Sequence, residues 1–183
     1  MKRTLVILLL FATVLSLASC EIESAYSNSD ILRENFEENQ DLFLEVALEA
    51  LGYGESTFIS TYEYFRPEGA DADASGLYVY NTDTEECRGL DSRSILRLFS
   101  ECSVHSLGVK TEEDVRVCEF SIEGGRQYFN GIYYADPDSA FFLNDLSIPL
   151  VEDGNGYSYS VENMNFYTEK WDDHFYYYVA KTL

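Results

Sequence analysis

Basic residues are scarce. The 183-residue chain has 12 Lys+Arg against 33 Asp+Glu, a formal net charge of −21. Phosphate binding needs a basic stripe, so nucleic acid is excluded as the main partner. Proline is rare too, with three residues, and no Pro- or Gly-rich stretch divides the chain into halves. There are only two histidines, His105 and His174, and neither lies in a His-Glu-x-x-His pattern. Gly-x-Ser-x-Gly and phosphate-cradling glycine loops are also missing, so the common hydrolase and nucleotide-binding signatures do not apply. Four cysteines occur without any Cys-x-x-Cys, which argues against zinc and thioredoxin-type chemistry. What is plentiful is apolar surface. Hydrophobic residues make up 46% of the chain, which separates it from the disordered acidic class.

The first twenty residues carry the sharpest motif. Met1-Lys2-Arg3 is followed by an apolar run from Leu5 to Leu17, then Ala18-Ser19-Cys20. As a helix, residues 5–18 reach only about 21 Å. The hydrocarbon core is roughly 30 Å thick, so a permanent span is disfavoured and a secretory signal peptide is expected. Leu17-Ala18-Ser19-Cys20 resembles the lipobox of bacterial lipoproteins. That resemblance implies a signal peptide over residues 1–19, a diacylglycerol thioether on Cys20, and a protein anchored in the lipid bilayer at the extracytoplasmic face. The rival reading is cleavage after Ala18 and a secreted soluble protein. Loss of Lys2 and Arg3 takes the formal charge from −21 to −23. An anionic leaflet repels such a body, so acyl chains must hold it there.

Residues 20–29 are polar and aperiodic and read as a flexible tether. Residues 30–183 are expected to form one domain, long enough to bury its own core. Apolar residues at helical spacing from Leu32 to Ala50 predict a helix over 31–51, with an acidic outer face. A second helix is expected over 90–102, capped by Asp91. Alternating β-branched and aromatic residues predict strands over 56–65, 76–81, 115–122, 128–135, 157–162, 165–171 and 175–181. Short turns between several of them favour antiparallel neighbours. The expected class is α+β: two helices on a curved, mainly antiparallel sheet of about six to seven strands.

The strand Gly131-Ile132-Tyr133-Tyr134, the acidic turn at Asp136–Asp138 and the closing Trp171–Tyr178 run (WDDHFYYY) resemble small, uncharacterised lipoproteins of Gram-positive bacteria. The resemblance implies an N-terminal helix and a Tyr-rich terminal hairpin. It brings no activity with it.

Candidate sites are few. Residues 128–183 hold 15 of the 28 aromatic residues. Tyr133, Tyr134, Trp171, Tyr176 and Tyr178 are the candidate recognition residues, because Tyr is enriched at interfaces. The competing reading is cross-strand core packing. With Cys20 lipidated, Cys87, Cys102 and Cys118 remain. Cys102 and Cys118 are the candidate disulfide pair, or else small core residues. Asp71, Asp73 and Ser75 resemble the opening of a calcium loop, but its twelfth position is Thr82 where a bidentate Glu belongs. Neither a metal nor any other cofactor is expected. Asp172-Asp173-His174 reads as the polar tip of a hairpin.

Three functional classes remain. The first is a non-enzymatic interaction module, inhibitor- or immunity-like, that steers a basic protein or peptide partner by charge. The second is a small-ligand or glycan binder that uses the Tyr-rich sheet. A concave pocket would favour it. The third is an enzyme, which would need converging polar groups that no pattern here singles out.

Overall fold

The computed structural model describes residues 29–68, 74–124 and 128–182. Two stretches of helix come first, α1 over residues 29–38 and α2 over Gln40–Leu51. The expected single helix is thus interrupted at Asn39. Its side-chain amide donates to the Asn35 carbonyl at 3.0 Å, and its backbone N–H bonds to Phe36 O at 3.1 Å. A short polar side chain of this kind competes with the regular backbone pattern. The chain divides at this point into a unit ending at Gln40 and a unit from Asp41 onward. The second unit contains the whole sheet.

Ten strands follow: β1 Thr57–Thr61, β2 Leu77–Asn81, β3 Cys87–Gly89, β4 Ser106–Glu112, β5 Val115–Gly124, β6 Tyr128–Asp136, β7 Val151–Asp153, β8 Gly156–Val161, β9 Met164–Asp172 and β10 Phe175–Thr182. A third helix, α3 (Arg93–Glu101), connects β3 to β4. The strands form one sheet in the order β3-β2-β1-β4-β5-β6-β10-β9-β8-β7. Every pairing is antiparallel.

The architecture is mainly β, which corrects the α+β expectation with six to seven strands. Three strands were unexpected. β3 and β7 are three-residue edges, exposed at every position, whose sequences Cys-Arg-Gly and Val-Glu-Asp carry no apolar alternation. β4 does alternate, with Leu107 and Val109 buried, but Gly108 and Lys110 disguise the pattern. α3 also differs in its cap. Ser92, not Asp91, accepts from the Ile95 N–H at 3.2 Å. That bond satisfies one orphan donor of the first turn.

The sheet is covered on both faces. Cys118, Phe120, Ile132, Tyr134, Phe175 and Tyr177 point to one face, as paired register requires. There α2 packs with Phe43 edge-on to Phe120, ring centres 5.1 Å apart. The buried α2 residues Phe43, Val46, Ala47 and Ala50 explain why a helix of this sequence settles on a sheet. Ser94 of α3 donates to Glu49 of α2 at 2.5 Å and ties the two helices together. The opposite face carries Val117, Tyr133, Tyr176, Tyr178 and Phe166. The segment 137–150, between β6 and β7, lies over it and adds Phe142, Leu143 and Leu146 to that cluster. Burying each such Phe or Leu side chain contributes roughly 1.5–3 kcal/mol toward holding the strap against the sheet.

Candidate functional site

Strand alternation divides the Tyr-rich residues between the two faces. Tyr133, Tyr176 and Tyr178 lie under the strap, and all three are buried. Tyr133 stacks on Tyr176 with centroids 5.1 Å apart. Tyr134, also buried, belongs to the helix-bearing face, where it stacks on His174 at 5.3 Å. Trp171 is half-buried, stacked on Tyr177 at 4.9 Å, with its indole N–H donated to Glu169 at 2.9 Å. The five candidate recognition residues therefore do not form a single ladder.

Their hydroxyls do separate tasks. Thr168 Oγ1 lies 2.7 Å from the Tyr177 carbonyl and 3.1 Å from the Tyr133 hydroxyl. Threonine has one hydroxyl hydrogen, and the carbonyl can only accept it. The Tyr133 O–H therefore donates to Thr168 and accepts from the Phe141 N–H at 3.1 Å. Burial pushes the Tyr133 phenol up to about 12. Tyr176 donates to Asp138 Oδ1 at 2.8 Å, an oxygen that also accepts the His174 N–H at 3.0 Å. Lys170 Nζ reaches Asp138 Oδ2 at 2.6 Å. Partial burial raises the Asp138 carboxyl, but these donors outweigh it and hold it below the usual carboxylate range. Asp138 thus clamps the start of the strap to the β9–β10 hairpin.

Tyr178 leads to the candidate site. A half-open cleft of about 480 Å³ lies beside the strap, bordered by Phe142, Leu143 and Asn144. Its floor comes from β4, β5, β6 and β10, through Ser106, Glu119, Ser121, Phe129, Tyr178 and Ala180. Phe166 and Met164 of β9 close one side, and Tyr64 stands at the other. Two glycines lie beside the floor residues. Gly108 sits opposite Glu119 in the β4–β5 register. Gly131 sits opposite both Ser121 and Tyr178. A Cβ at Gly131 would come within 2.2 Å of Phe120 O and 2.9 Å of the Tyr178 ring, so no other residue allows that close approach. A register shift between Ser121 and Glu123 leaves Ile122 as an extra residue, and both Ser121 and Ile122 border the cleft.

The walls are largely apolar, with a few polar groups converging at the floor. Glu119 is the one charged group among the described lining residues. Its Oε1 accepts a short hydrogen bond from the Tyr178 hydroxyl. Burial, then the Glu119 charge, raises the Tyr178 phenol far above its ordinary range, so it remains a donor at all physiological pH. A second cavity of about 480 Å³, at the opposite end of the sheet, is bordered by Tyr53, Asn81, Glu86, Cys87 and Arg88. It runs along the exposed β3 edge and has no apolar walls comparable to those of the first.

The remaining sequence candidates stand apart from the cleft. Cys102 and Cys118 are both buried and both free thiols, and Cys87 is free and exposed. Burial pushes Cys102 up to about 11 and Cys118 higher still. Ser75 is exposed, while Asp71, Asp73 and Cys20 lie outside the described residues. Among the described residues, no group of three or more His, Cys, Asp or Glu side chains gathers to hold a metal. Sequence reasoning missed Glu119, Ser106, Ser121 and the strap residues Phe142–Asn144. Their only trace was a pair of glycines within strand-forming sequence. Comparisons of the chain with protein-family models, curated proteins and solved structures found no match.

Proposed function

We propose that this chain is a non-enzymatic lipoprotein, tethered through acylated Cys20 to the outer side of a bacterial membrane, that binds a small and largely apolar ligand in the cleft beside the strap. The observation that carries the reading is the cleft itself. A volume of about 480 Å³ falls within the ~300–1,000 Å³ of small-ligand sites. Its apolar walls and few converging polar groups match the usual composition of such sites. The aromatic residues support it by building the walls and the floor rather than a flat contact surface. The anchor rests on the Leu17–Cys20 motif, and among the described residues no helix is long and apolar enough to cross a membrane.

The formal net charge of −21 favours a second reading, in which a basic protein or peptide docks on the acidic exterior. The two readings separate in one experiment. Fluorescence titration with N-phenyl-1-naphthylamine, a neutral apolar probe, should show saturable binding at one site. Ala180→Trp, which fills the cleft floor, should abolish it. Absence of binding to the folded wild-type protein would refute the cleft reading. Cys20→Ser should release the protein from the membrane fraction, and unchanged pelleting would refute the anchor.

A further inference from the structure

We infer that the cleft selects a small amphipathic monocation: an apolar body carrying one ammonium-type head, with Glu119 as the counter-ion. The inference deepens the cleft-binding reading and rests on it. Three features of the floor point the same way. Glu119 Oε1 is engaged by Tyr178, whereas Oε2 takes no hydrogen bond from any described residue. The side chain lies against Gly108, where a Cβ would stand 3.6 Å from Oε2, so this cross-strand neighbour offers it no side chain. The Ser106 hydroxyl and the Ser121 hydroxyl, which donates to the Tyr178 oxygen, also line the floor, and a hydroxyl oxygen can accept from the remaining N–H groups of an ammonium.

An anionic head is disfavoured, because it would meet Glu119 with no cation among the described lining residues to offset it. A neutral ligand would leave the carboxylate partly desolvated and unpaired. The formal net charge of −21 adds a long-range bias, raising the local concentration of cations around the whole body. The apolar requirement comes from Phe142, Leu143, Phe166 and Met164, which offer an ammonium head nothing but can cover an alkyl or aromatic tail. The strap residue Leu143 is itself held from below by Lys110, whose Nζ donates to its carbonyl. That lysine is thereby committed to the strap and does not border the cleft.

The test uses the bound neutral probe N-phenyl-1-naphthylamine and three competitors of equal chain length: decylammonium, decanol and decanoate, each kept below its micelle concentration. In the wild-type protein, decylammonium should displace the probe at a concentration at least about tenfold lower than decanoate, a single charge contact's worth. Glu119→Gln keeps the shape and the Tyr178 bond. It should lose the preference between the two charged competitors, each read against the probe affinity measured for that variant. Probe binding without a charge preference, or a preference that survives in Glu119→Gln, overturns the inference and leaves the cleft reading intact. No probe binding at all overturns both. Should Glu119→Gln fail to fold, raising the salt concentration in the wild-type protein gives the second readout. The decylammonium advantage should shrink with ionic strength, and an advantage indifferent to salt would count against a charge contact.

Discussion

Replacing Tyr133 by Phe tests how the strap is held. The ring is fully buried and stacks on Tyr176, and Phe fills the same space, so apolar packing is preserved. What goes is one hydroxyl with two partners, Thr168 and the Phe141 N–H. Losing a neutral hydrogen bond costs about 1 kcal/mol, and leaving a buried donor unsatisfied costs about 1–3 kcal/mol. Phe141 is half-buried, so water recovers part of its share. The expected loss is therefore about 2 kcal/mol. For a domain of this size each kcal/mol lowers the thermal midpoint by ~2–4 °C, so the drop should be roughly 4–8 °C. Urea unfolding should show a lower midpoint at unchanged slope, because the exposed surface is the same. Backbone exchange at Phe141 should accelerate, and protease nicking should appear first within 137–150. Thr168→Val alone and in combination closes a double-mutant cycle, where a coupling of at least about 0.5 kcal/mol is expected for groups in direct contact. A midpoint within 1 °C of wild type, or strict additivity with Thr168→Val, would show that this hydroxyl does not anchor the strap.

Two further outcomes concern titration and thiols. Tyr133 titrates near 12 in the folded protein, against about 10 for a free phenol, so its contribution is complete below pH 10 and is lost as pH rises toward 12. That loss is on the order of a few kcal/mol across the interval, and Tyr178 acts in the same direction, so a thermal midpoint flat from pH 9 to 12 would contradict the burial of both. In the Cys20→Ser protein, Ellman's reagent should titrate Cys87 promptly under native conditions and Cys102 and Cys118 only in denaturant, since burial raises both; a total of one thiol in denaturant would mean that the two buried cysteines are joined.

The right half of the sheet was legible because its strands follow one rule. β6 and β10 carry continuous Tyr- and Phe-rich runs buried on both faces, and β9 buries one face through Phe166 and Thr168. The same burial hid where the faces end. An alternating strand with aromatic residues on both sides reads equally well as half-exposed or fully covered. What decides is the strap, whose Phe142, Leu143 and Leu146 have no period of their own. β4 was overlooked because Gly108 breaks a short run, and the same glycine is the cross-strand neighbour of Glu119. Glu119 could not be picked out among 33 acidic residues. It is distinguished only by its cross-strand neighbours, and register between β4 and β5 is a tertiary property. The Ser92 cap lies one residue from the expected Asp91, whereas the break at Asn39 falls inside the helix expected over 31–51, where the apolar spacing runs on unchanged. At both positions local side-chain hydrogen bonds override periodicity.

The choice of tyrosine over phenylalanine is the deeper regularity. Tyr133, Tyr176 and Tyr178 are buried side by side on one face, and phenylalanine would fill all three ring sites without any polar atom to satisfy. Each hydroxyl instead leaves the core at a different point. One meets the strap at Phe141, one meets Asp138 where the strap begins, and one meets Glu119 at the cleft floor. A ring sunk in apolar packing has little rotational freedom, so a hydroxyl carried on it is placed more firmly than one on a flexible surface side chain. The same face can therefore be core and site at once. Its rings supply cohesion, and its hydroxyls fix two points near the start of the strap and one carboxylate relative to a single rigid sheet. A cleft bordered by that strap and floored by that carboxylate keeps its shape without a ligand, which is the condition for selecting a small molecule by the position of a single charge.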